Sequence, residues 1–322
     1  MAFFFVSAIQ IPPARPMLRF SLLPALLLLS LLAAAPPARA QQRVEAARPA
    51  RAHPKRQTRL DAAVPETSAL LYTNGALWTL NDGDNPPCIF RLDSASGRVV
   101  QRVRIVNFPN TDWEELAADS RYFYIGDFGN NAGRRRDLRV LRLPRPAPTD
   151  TTAVAEEITF QYPEQTDFEP GVYRHNFDCE AFFVAHDSLH LFSKRWADGY
   201  TRHYTLPTQP GRYVARPHET LAAQGLVTAA SLSPDGRTAA LLGYTKTGRI
   251  FLWLLTDFAD TNYLAGRARR LRLPGALRIG QVEGLAFVGP ARVFVSNERL
   301  AGHIVLVKQQ LYRLDLRRWL AR

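Results

Sequence analysis

The sequence predicts an all-β fold, a β-propeller of five blades with four antiparallel strands each, and three observations lead to it. Short apolar strands separated by turn residues recur along the chain, and long amphipathic helices are absent. In four of five units an acidic residue stands near the start of the first strand, and the second strand ends 13 positions later. The units follow one another at 48, 66, 48 and 55 residues, close to the length of propeller blades. A β-sandwich gives no reason for this repeated interval. A sixth blade is the alternative, because the 66-residue interval is long enough to contain one.

The repeated interval defines the first two strands of each blade. Two strands of about five residues and a tight turn account for it. The four regular pairs of acid and strand end are Glu66 and Thr79, Glu114 and Asp127, Glu180 and Ser193, and Glu283 and Ser296. The fourth unit, 227–243, lacks the acid but contains Ser-Pro-Asp-Gly at 233–236, a sequence that favours a turn between strands.

Further apolar segments supply the outer strands. We predict third strands at residues 89–92, 140–143, 203–206, 252–255 and 311–314, and fourth strands at 99–106, 157–161 and 268–273. The last unit lacks an outermost strand, and residues 58–64, just before the first unit, are expected to supply it and close the ring. Residues 162–177 mix proline, glycine and acids without alternation and are predicted to be a loop.

The region before the propeller has the layout of a secretory signal peptide. A basic start at 17–19 precedes a leucine- and alanine-rich run at 22–35 and an Ala-Arg-Ala cleavage site at 38–40. We therefore predict a signal peptide at 1–40, with Met17 as an alternative start, a basic flexible tail at 41–57, and the propeller at 58–322. The protein is expected to be exported, to the periplasm or beyond, without stable membrane insertion after cleavage.

The formal charge of +12 lies mostly outside the predicted propeller. Residues 1–40 carry three arginines and no acid, and residues 41–59 carry a net charge of +5, which leaves +4 for the rest. Nucleic acid is therefore not expected as a partner, since no recognition motif accompanies the charge. Cys88 and Cys179 fall in blades one and three, which are not neighbours, so we predict two buried free thiols.

Propeller geometry gathers the repeated acids on one face. The first strand of a blade lines the central channel and the second returns beside it, so the start of one and the end of the other lie at the same channel mouth. Glu66 belongs to this predicted ring. The candidate metal ligands are Glu114, Asp127, Glu180 and Glu283. The candidate ligand-binding residues are Asp82, Asp84, Asn130, Asn131, Lys194, Arg195 and Glu298.

Converging carboxylates need a counter-charge or protons, and three arrangements satisfy them. A Ca²⁺ ion could bind carboxylate and amide oxygens there. Lys194 and Arg195 could neutralise the ring with nearby arginines. Alternatively, the glutamates could accept hydrogen bonds from backbone amides at the top of each blade, a structural role repeated because the blade is repeated.

Short motifs on this face resemble known propellers. The segments Asp-Trp-Glu-Glu-Leu-Ala at 112–117, Gly-Asp-Phe-Gly-Asn-Asn at 126–131 and Asp-Cys-Glu-Ala at 178–181 resemble secreted bacterial propellers of unassigned activity, near the phytase-like and esterase-like group. Val-Glu-Gly-Leu at 282–285 resembles the Glu-Gly strand of calcium-dependent lactonase propellers. The lactonase resemblance implies one channel Ca²⁺, with Glu283 as the matched ligand. The phytase resemblance implies a basic phosphate site beside calcium, to which Lys194, Arg195 and residues 134–136 could contribute.

Two functions follow from these residues. The first is an exported propeller, expected to be a monomer, that binds a small molecule, glycan or protein at its channel mouth. No nucleophile elbow, zinc-protease motif or phosphate-binding loop is present, so no catalytic set can be assigned. The alternative is a Ca²⁺-dependent hydrolase of phosphoesters or lactones, with the metal at the channel.

Overall fold

The computed structural model describes residues 43–44, 49–301 and 306–320, and these residues form a five-bladed β-propeller. The predicted fold class is therefore confirmed, with five blades. The predicted signal peptide at 1–40 lies outside the described residues.

Each blade has four antiparallel strands, which follow one another from the channel outward. Blade 1 consists of Leu71–Thr73, Ala76–Leu80, Cys88–Leu92 and Val99–Ile105, and blade 2 of Trp113–Ala118, Tyr122–Asp127, Arg139–Pro144 and Glu156–Gln161. Blade 3 consists of Asp178–Ala185, Ser188–Lys194, Thr201–Pro207 and Arg216–Leu221, and blade 4 of Leu226–Leu232, Ala239–Tyr244, Ile250–Thr256 and Arg267–Arg272. Blade 5 consists of Val282–Gly289, Arg292–Asn297, Gln310–Asp315 and the N-terminal Lys55–Arg59.

The N-terminal strand closes the ring, as predicted, but it lies earlier in the chain than residues 58–64. Lys55–Arg59 pairs antiparallel with Gln310–Asp315, and Arg59 lies opposite Gln310. Residues 60–64 form a turn instead, in which the amide of Ala63 donates to the Asp61 carboxylate at 3.0 Å. Leu60 and Val64 are buried although they lie outside any strand. Their burial explains why the sequence has apolar residues there, which the prediction attributes to a strand.

Part of the segment expected to be a flexible tail is also in strands. Ala50–Arg51 pairs in parallel with the outermost strand of blade 4, as does Arg43–Val44. Two further short strands, Thr152–Ala153 and Gly211–Val214, pair in parallel with the outer edges of blades 1 and 2. These additions cover strand edges that would otherwise be open to pairing with another chain.

The apolar core fills the interfaces between blades. Within the described residues it forms five clusters, each joining two neighbouring blades. Successive residues of a strand face opposite interfaces, so Phe182 packs toward blade 2 and Phe183 toward blade 4. Both cysteines are buried and free, as predicted.

Two short antiparallel strands, Leu300–Ala301 and Leu306–Val307, form a separate two-stranded sheet. Three short helical segments complete the described chain: Tyr263–Ala265, which is a 3-10 turn, Ala276–Ile279 and Arg317–Leu320. None of the helices within the described residues has the length and apolar character needed to cross a bilayer.

Candidate functional site

A β-bulge near the start of the innermost strand positions the repeated glutamates. In blade 2, Trp113 lies opposite Asp127 and Glu115 opposite Gly126, so Glu114 has no cross-strand partner. The same register shift leaves Glu180 unpaired in blade 3 and Glu283 unpaired in blade 5. A bulge turns its side chain away from the regular alternation. The three glutamates are therefore kept out of the interfaces between blades, yet all three are buried.

Blades 1 and 4 carry hydroxyl residues at the equivalent position, Ser68 and Thr228. The pairing register shifts by one between Thr67 and Leu71 in blade 1, and at Thr228 in blade 4. Each hydroxyl donates to the carbonyl oxygen just before the glutamate of the next blade: Ser68 to Trp113 at 3.2 Å and Thr228 to Val282 at 2.9 Å. The five bulges are thus equivalent positions in the ring.

Glu66 does not belong to this ring, in contrast to the prediction. It lies two residues before Ser68, is exposed, and accepts a hydrogen bond from the Asn85 side chain at 2.5 Å. The 13-residue interval predicts that Glu66 and Thr79 occupy the repeated positions in blade 1. This alignment is wrong, because the residue opposite Thr67 is Asn81.

Asp82 is the centre of the carboxylate cluster. Carboxylate oxygens of Asp82, Asp112 and Glu114 lie within 4.8 Å of one another, and so do those of Asp82, Glu283 and Glu298. Asp82 comes from the loop after the second strand of blade 1, and it thereby joins acids of blade 2 to acids of blade 5. All of these acids except Asp112 are candidate site residues of the sequence, so the fold brings together candidates from distant parts of the chain.

Burial and mutual repulsion make these acids hard to ionise. Burial, followed by the charges of Glu180 and Asp82, raises the pKa of Glu114 well above its usual value. Burial raises the pKa of Asp82 to about 6 and that of Glu298 to about 7. The pKa of Asp112 is also raised to about 7 by burial, with a further contribution from Asp82. Without a cation the cluster therefore retains protons at neutral pH.

Lys194 is the ammonium group within the cluster. Its Nζ donates to Glu180, and both side chains are buried. The Nζ also lies 4.7 Å from the ring centroid of Trp196 and 5.8 Å from that of Tyr244. Burial alone would lower the pKa of Lys194, but the Glu180 carboxylate and other nearby acids raise it well above its usual value. Lys194 therefore stays charged.

The hydrogen bonds of the bulged glutamates do not match the backbone-capping arrangement. Glu180 accepts from Lys194 and Glu283 accepts from the Gln281 side chain at 2.5 Å. Across the described residues, no backbone amide donates to Glu114, Glu180 or Glu283. A full ring of salt bridges is not formed either, because Arg195 pairs with Asp198 instead.

Several candidate residues have other partners. Both carboxylate oxygens of Asp127 are held by arginines, Oδ1 by Arg135 at 3.0 Å and Oδ2 by Arg139 at 2.9 Å. Asn130 is buried and anchors the loop, since its side chain donates to the carbonyl of Phe177 at 3.0 Å. These two candidates therefore stabilise the mouth and have little left to offer a ligand.

The remaining two candidates differ in exposure. Asp84 is exposed and adopts a left-handed conformation, with φ of 62°. The side-chain oxygen of Asn131 is buried and has no hydrogen-bond partner among the described residues.

Asp112 and Gly129 are site residues that the sequence did not single out as such. A Cβ at Gly129 would lie 2.2 Å from Oε1 of Glu114 and 2.4 Å from Oδ2 of Asp112. Glycine therefore lets the loop after blade 2 pass directly over two carboxylates. The segments at 112–117 and 126–131 contain both residues, but only the folded loop shows that they touch.

A pocket of about 440 Å³ adjoins the cluster. The rings of Tyr173 and Trp196 lie together on one side, tilted by 38° with their centroids 4.1 Å apart. Tyr244 and Gln281 line it as well, and these two also contact Lys194 and Glu283, respectively. The pocket and the acids are therefore parts of one continuous site.

No protein-family model and no curated protein matches this chain. Solved structures do. An exo-β-1,3-galactanase from Phanerochaete chrysosporium is 10% identical with a TM-score of 0.50, and the match covers 79% of this chain and 62% of that one. The PQQ-bound aldose sugar dehydrogenase of Streptomyces coelicolor is 10% identical with a TM-score of 0.48, over 84% of this chain and 99% of that one. The α-L-arabinofuranosidase of Podospora anserina is 9% identical with a TM-score of 0.47, over 83% and 96%.

At these identities the similarity concerns the fold alone. The resemblance to phytase-like, esterase-like and lactonase propellers stays a prediction.

Proposed function

We propose that this protein binds a divalent cation, Ca²⁺, at its channel mouth and uses it to hold an oxygen-rich ligand in the adjoining pocket. The observation that carries the proposal is the position of Asp82, whose carboxylate is shared by two groups of three acids. Ca²⁺ takes six to eight oxygen ligands at about 2.3–2.6 Å, so opposite ligands are about 5 Å apart. Oxygens within 4.8 Å of one another fit that requirement.

The charge of the cluster supports a cation. Six carboxylates belong to the cluster, those of Asp82, Asp112, Glu114, Glu180, Glu283 and Glu298, and the charge of Lys194 acts on four of them, those of Asp82, Glu114, Glu180 and Glu283. Like charges this close cannot all be ionised without compensation. A divalent ion would replace the protons that otherwise keep the acids neutral, and the donor set contains only hard oxygens, which favours Ca²⁺ over softer metals.

Two buried oxygens support the same conclusion. Glu180 Oε2 and Glu298 Oε1 are buried and have no hydrogen-bond partner among the described residues. An unpaired carboxylate oxygen away from water costs free energy, and such atoms commonly mark an ion or water. A cation near Asp82 would satisfy Glu298 directly. Lys194 on the other oxygen of Glu180 leaves Oε2 free to face the ion.

The pocket indicates the kind of ligand. Its aromatic wall of Tyr173 and Trp196 offers an apolar face, while Lys194 and the cation would attract oxygen atoms. Sites of this composition suit a compact polar molecule with one apolar face, held by a few placed polar groups. A monosaccharide or a small hydroxy acid has that character. The pocket volume of about 440 Å³ fits a ligand of this size.

Thermal unfolding with and without CaCl₂ tests the cation. A ligand that binds only the folded state stabilises it, by about 2.7 kcal/mol at a hundred times Kd. We expect the unfolding temperature to rise with CaCl₂ and to fall back with a chelator. Asp82→Asn should abolish the rise, while Asp84→Asn, a matched change two residues away on an exposed carboxylate, should retain it. An unchanged temperature in the unsubstituted protein would contradict the proposal.

A hydrolytic use of the same cation is the second candidate, favoured by Lys194. A cation and an ammonium on one site could stabilise the negative charge that develops on a phosphoester or lactone oxygen. Release of p-nitrophenol from p-nitrophenyl phosphate, or opening of γ-butyrolactone, separates the two uses. Ca²⁺-dependent turnover that Lys194→Met abolishes indicates a hydrolase, whereas Ca²⁺ binding without turnover of either compound indicates a binding protein.

A further inference from the structure

A second charged surface lies on the outer side of blade 5. A groove of about 1020 Å³ runs between the N-terminal strand Lys55–Arg59 and the C-terminal helix Arg317–Leu320. Its basic lining residues are Arg51, Lys55, Arg292, Arg313, Arg317 and Arg318. All six side chains are exposed. Two residues of the basic stretch that precedes the predicted propeller, Arg51 and Lys55, are therefore part of this surface.

The strand register places like charges side by side. Arg51 lies opposite Arg272, and Lys55 lies opposite Arg313. Like charges directly opposite one another destabilise a sheet. Because this arrangement weakens the folded state, a role in folding does not explain why these positive charges are there.

Counter-charges are scarce in the groove. Among the described residues, Asp315 is the acid that lines it, and it pairs with Arg317 at 2.5 Å. Arg51, Lys55 and Arg313 have no ion pair to any described residue. These cations therefore face solvent with their hydrogen-bond donors free.

We propose that this groove binds an acidic polysaccharide, a linear chain that carries carboxylates. The guanidinium fork pairs with a carboxylate through two parallel hydrogen bonds, and five of the six basic side chains are arginines. The groove extends from the N-terminal strand to the C-terminal helix, so it offers cations in sequence along a chain. Trp319 at the helix adds a half-buried aromatic surface of the kind that contacts a sugar ring.

The shape of the surface distinguishes this partner from two other polyanions. A lipid bilayer is flat and would contact only the rims of a concave groove. Single-stranded nucleic acid is held by bases stacked on successive aromatic side chains, and the groove is lined by only two aromatic residues among those described, Phe294 and Trp319. A polysaccharide requires neither a flat protein surface nor a row of aromatic side chains.

The groove and the channel-mouth site share no residue, so the two proposals stand or fall separately. Binding is measured with polygalacturonate on the full chain at low salt, with neutral dextran as the uncharged probe. We expect polygalacturonate binding that weakens as salt rises and no dextran binding. The triple variant Arg51→Gln, Lys55→Gln and Arg313→Gln should bind at least about tenfold more weakly.

A matched variant controls for charge alone. Arg98→Gln, Arg104→Gln and Arg121→Gln remove the same net charge from exposed positions of blades 1 and 2, and polygalacturonate binding should fall by less than about twofold. Removing the opposed charges should leave the unfolding temperature of the groove variant equal or higher. Equal loss of binding in both variants, or tighter binding of single-stranded DNA than of polygalacturonate, would overturn the proposal.

Discussion

Lys194 donates a hydrogen bond to Glu180, and this buried pair joins the carboxylate cluster of the channel mouth to the aromatic pocket beside it. The glutamate is the bulged residue of blade 3, and the lysine ends the second strand of the same blade. Glu180 keeps its second oxygen without a partner among the described residues. The pair therefore balances one charge of the cluster and leaves Oε2 of Glu180 and the other acids for a cation.

Lys194→Met is expected to have opposite effects on folding and on cation binding. Removing one partner of a buried ion pair leaves an uncompensated charge and costs about 3 kcal/mol. The same change removes a positive charge from beside the proposed Ca²⁺, so Ca²⁺ should bind more tightly. Unfolding in urea with and without CaCl₂ measures both effects. Lys308→Met, at an exposed lysine, should change neither, and weaker Ca²⁺ binding by Lys194→Met would contradict the assignment.

Gly129→Ala is expected to abolish cation binding while the propeller still folds. The new methyl group would lie 2.2 Å from a Glu114 oxygen and 2.4 Å from an Asp112 oxygen, so both carboxylates must move. Gly171→Ala is the matched control, because its Cβ would find its nearest neighbour at 3.6 Å. Circular dichroism checks the fold and calorimetry checks Ca²⁺ binding. Normal binding by Gly129→Ala would show that Glu114 and Asp112 are not ligands.

Asp112 should make the cation-free protein less stable as pH rises. Its pKa is about 7 in the folded state, mainly through burial, against an ordinary value of 3.8. The folded state therefore holds this proton more tightly than the unfolded state, and stability is lost as pH rises from about 4 to 7. In a chelator, urea unfolding of Asp112→Asn should lose less stability over this range than the unsubstituted protein. An unchanged pH slope would mean that Asp112 is ionised in the folded state.

His190 should act in the opposite direction on acidification. It is buried, with Nδ1 2.9 Å from Nε2 of His203 and Nε2 3.1 Å from the Ala185 carbonyl oxygen. Burial, followed by the charge of His203, lowers its pKa to about 3. The unfolded state then binds the proton more readily, so stability is lost as pH falls below about 6.5. His190 is therefore a buried structural histidine.

The measurement compares urea unfolding of His190→Gln and the unsubstituted protein at several pH values. The pH dependence of His190→Gln is subtracted from that of the unsubstituted protein, because the acids of the channel mouth change stability with pH in the opposite direction. We expect His190→Gln to be less stable at pH 7 and to lose less further stability between pH 6.5 and 5. Parallel pH curves would contradict the assignment of this effect to His190.

The repeat predicted the fold because a propeller is built from equivalent short strands at regular intervals. Blade number, ring closure by an N-terminal strand and the loop at 162–177 all follow from spacing and composition. The register of blade 1 did not follow. Glu66 and Ser68 stand two residues apart, and only the bridge between Thr67 and Asn81 shows which of them occupies the bulge.

The site itself was only partly predictable, because its members come from different blades. Glu283 and Glu298 were recognised by their place in a repeat, and the fold brings them to Asp82, more than 200 positions away in the chain. Asp127 is a candidate ligand by the same kind of reasoning, yet Arg135 and Arg139 hold it. Repetition locates the channel mouth, but ion pairing decides which acids are available there.

The most direct test is the stoichiometry of Ca²⁺ binding, measured by isothermal titration calorimetry on the chelator-treated protein. We expect one Ca²⁺ per chain for the unsubstituted protein and for Asp84→Asn, with protons released on binding. Asp82→Asn should bind none, because it removes the carboxylate shared by both groups of acids. Two results would contradict a metal centre built around Asp82. One is the absence of binding heat for the unsubstituted protein in every buffer, whatever its ionisation enthalpy, and the other is full binding by Asp82→Asn.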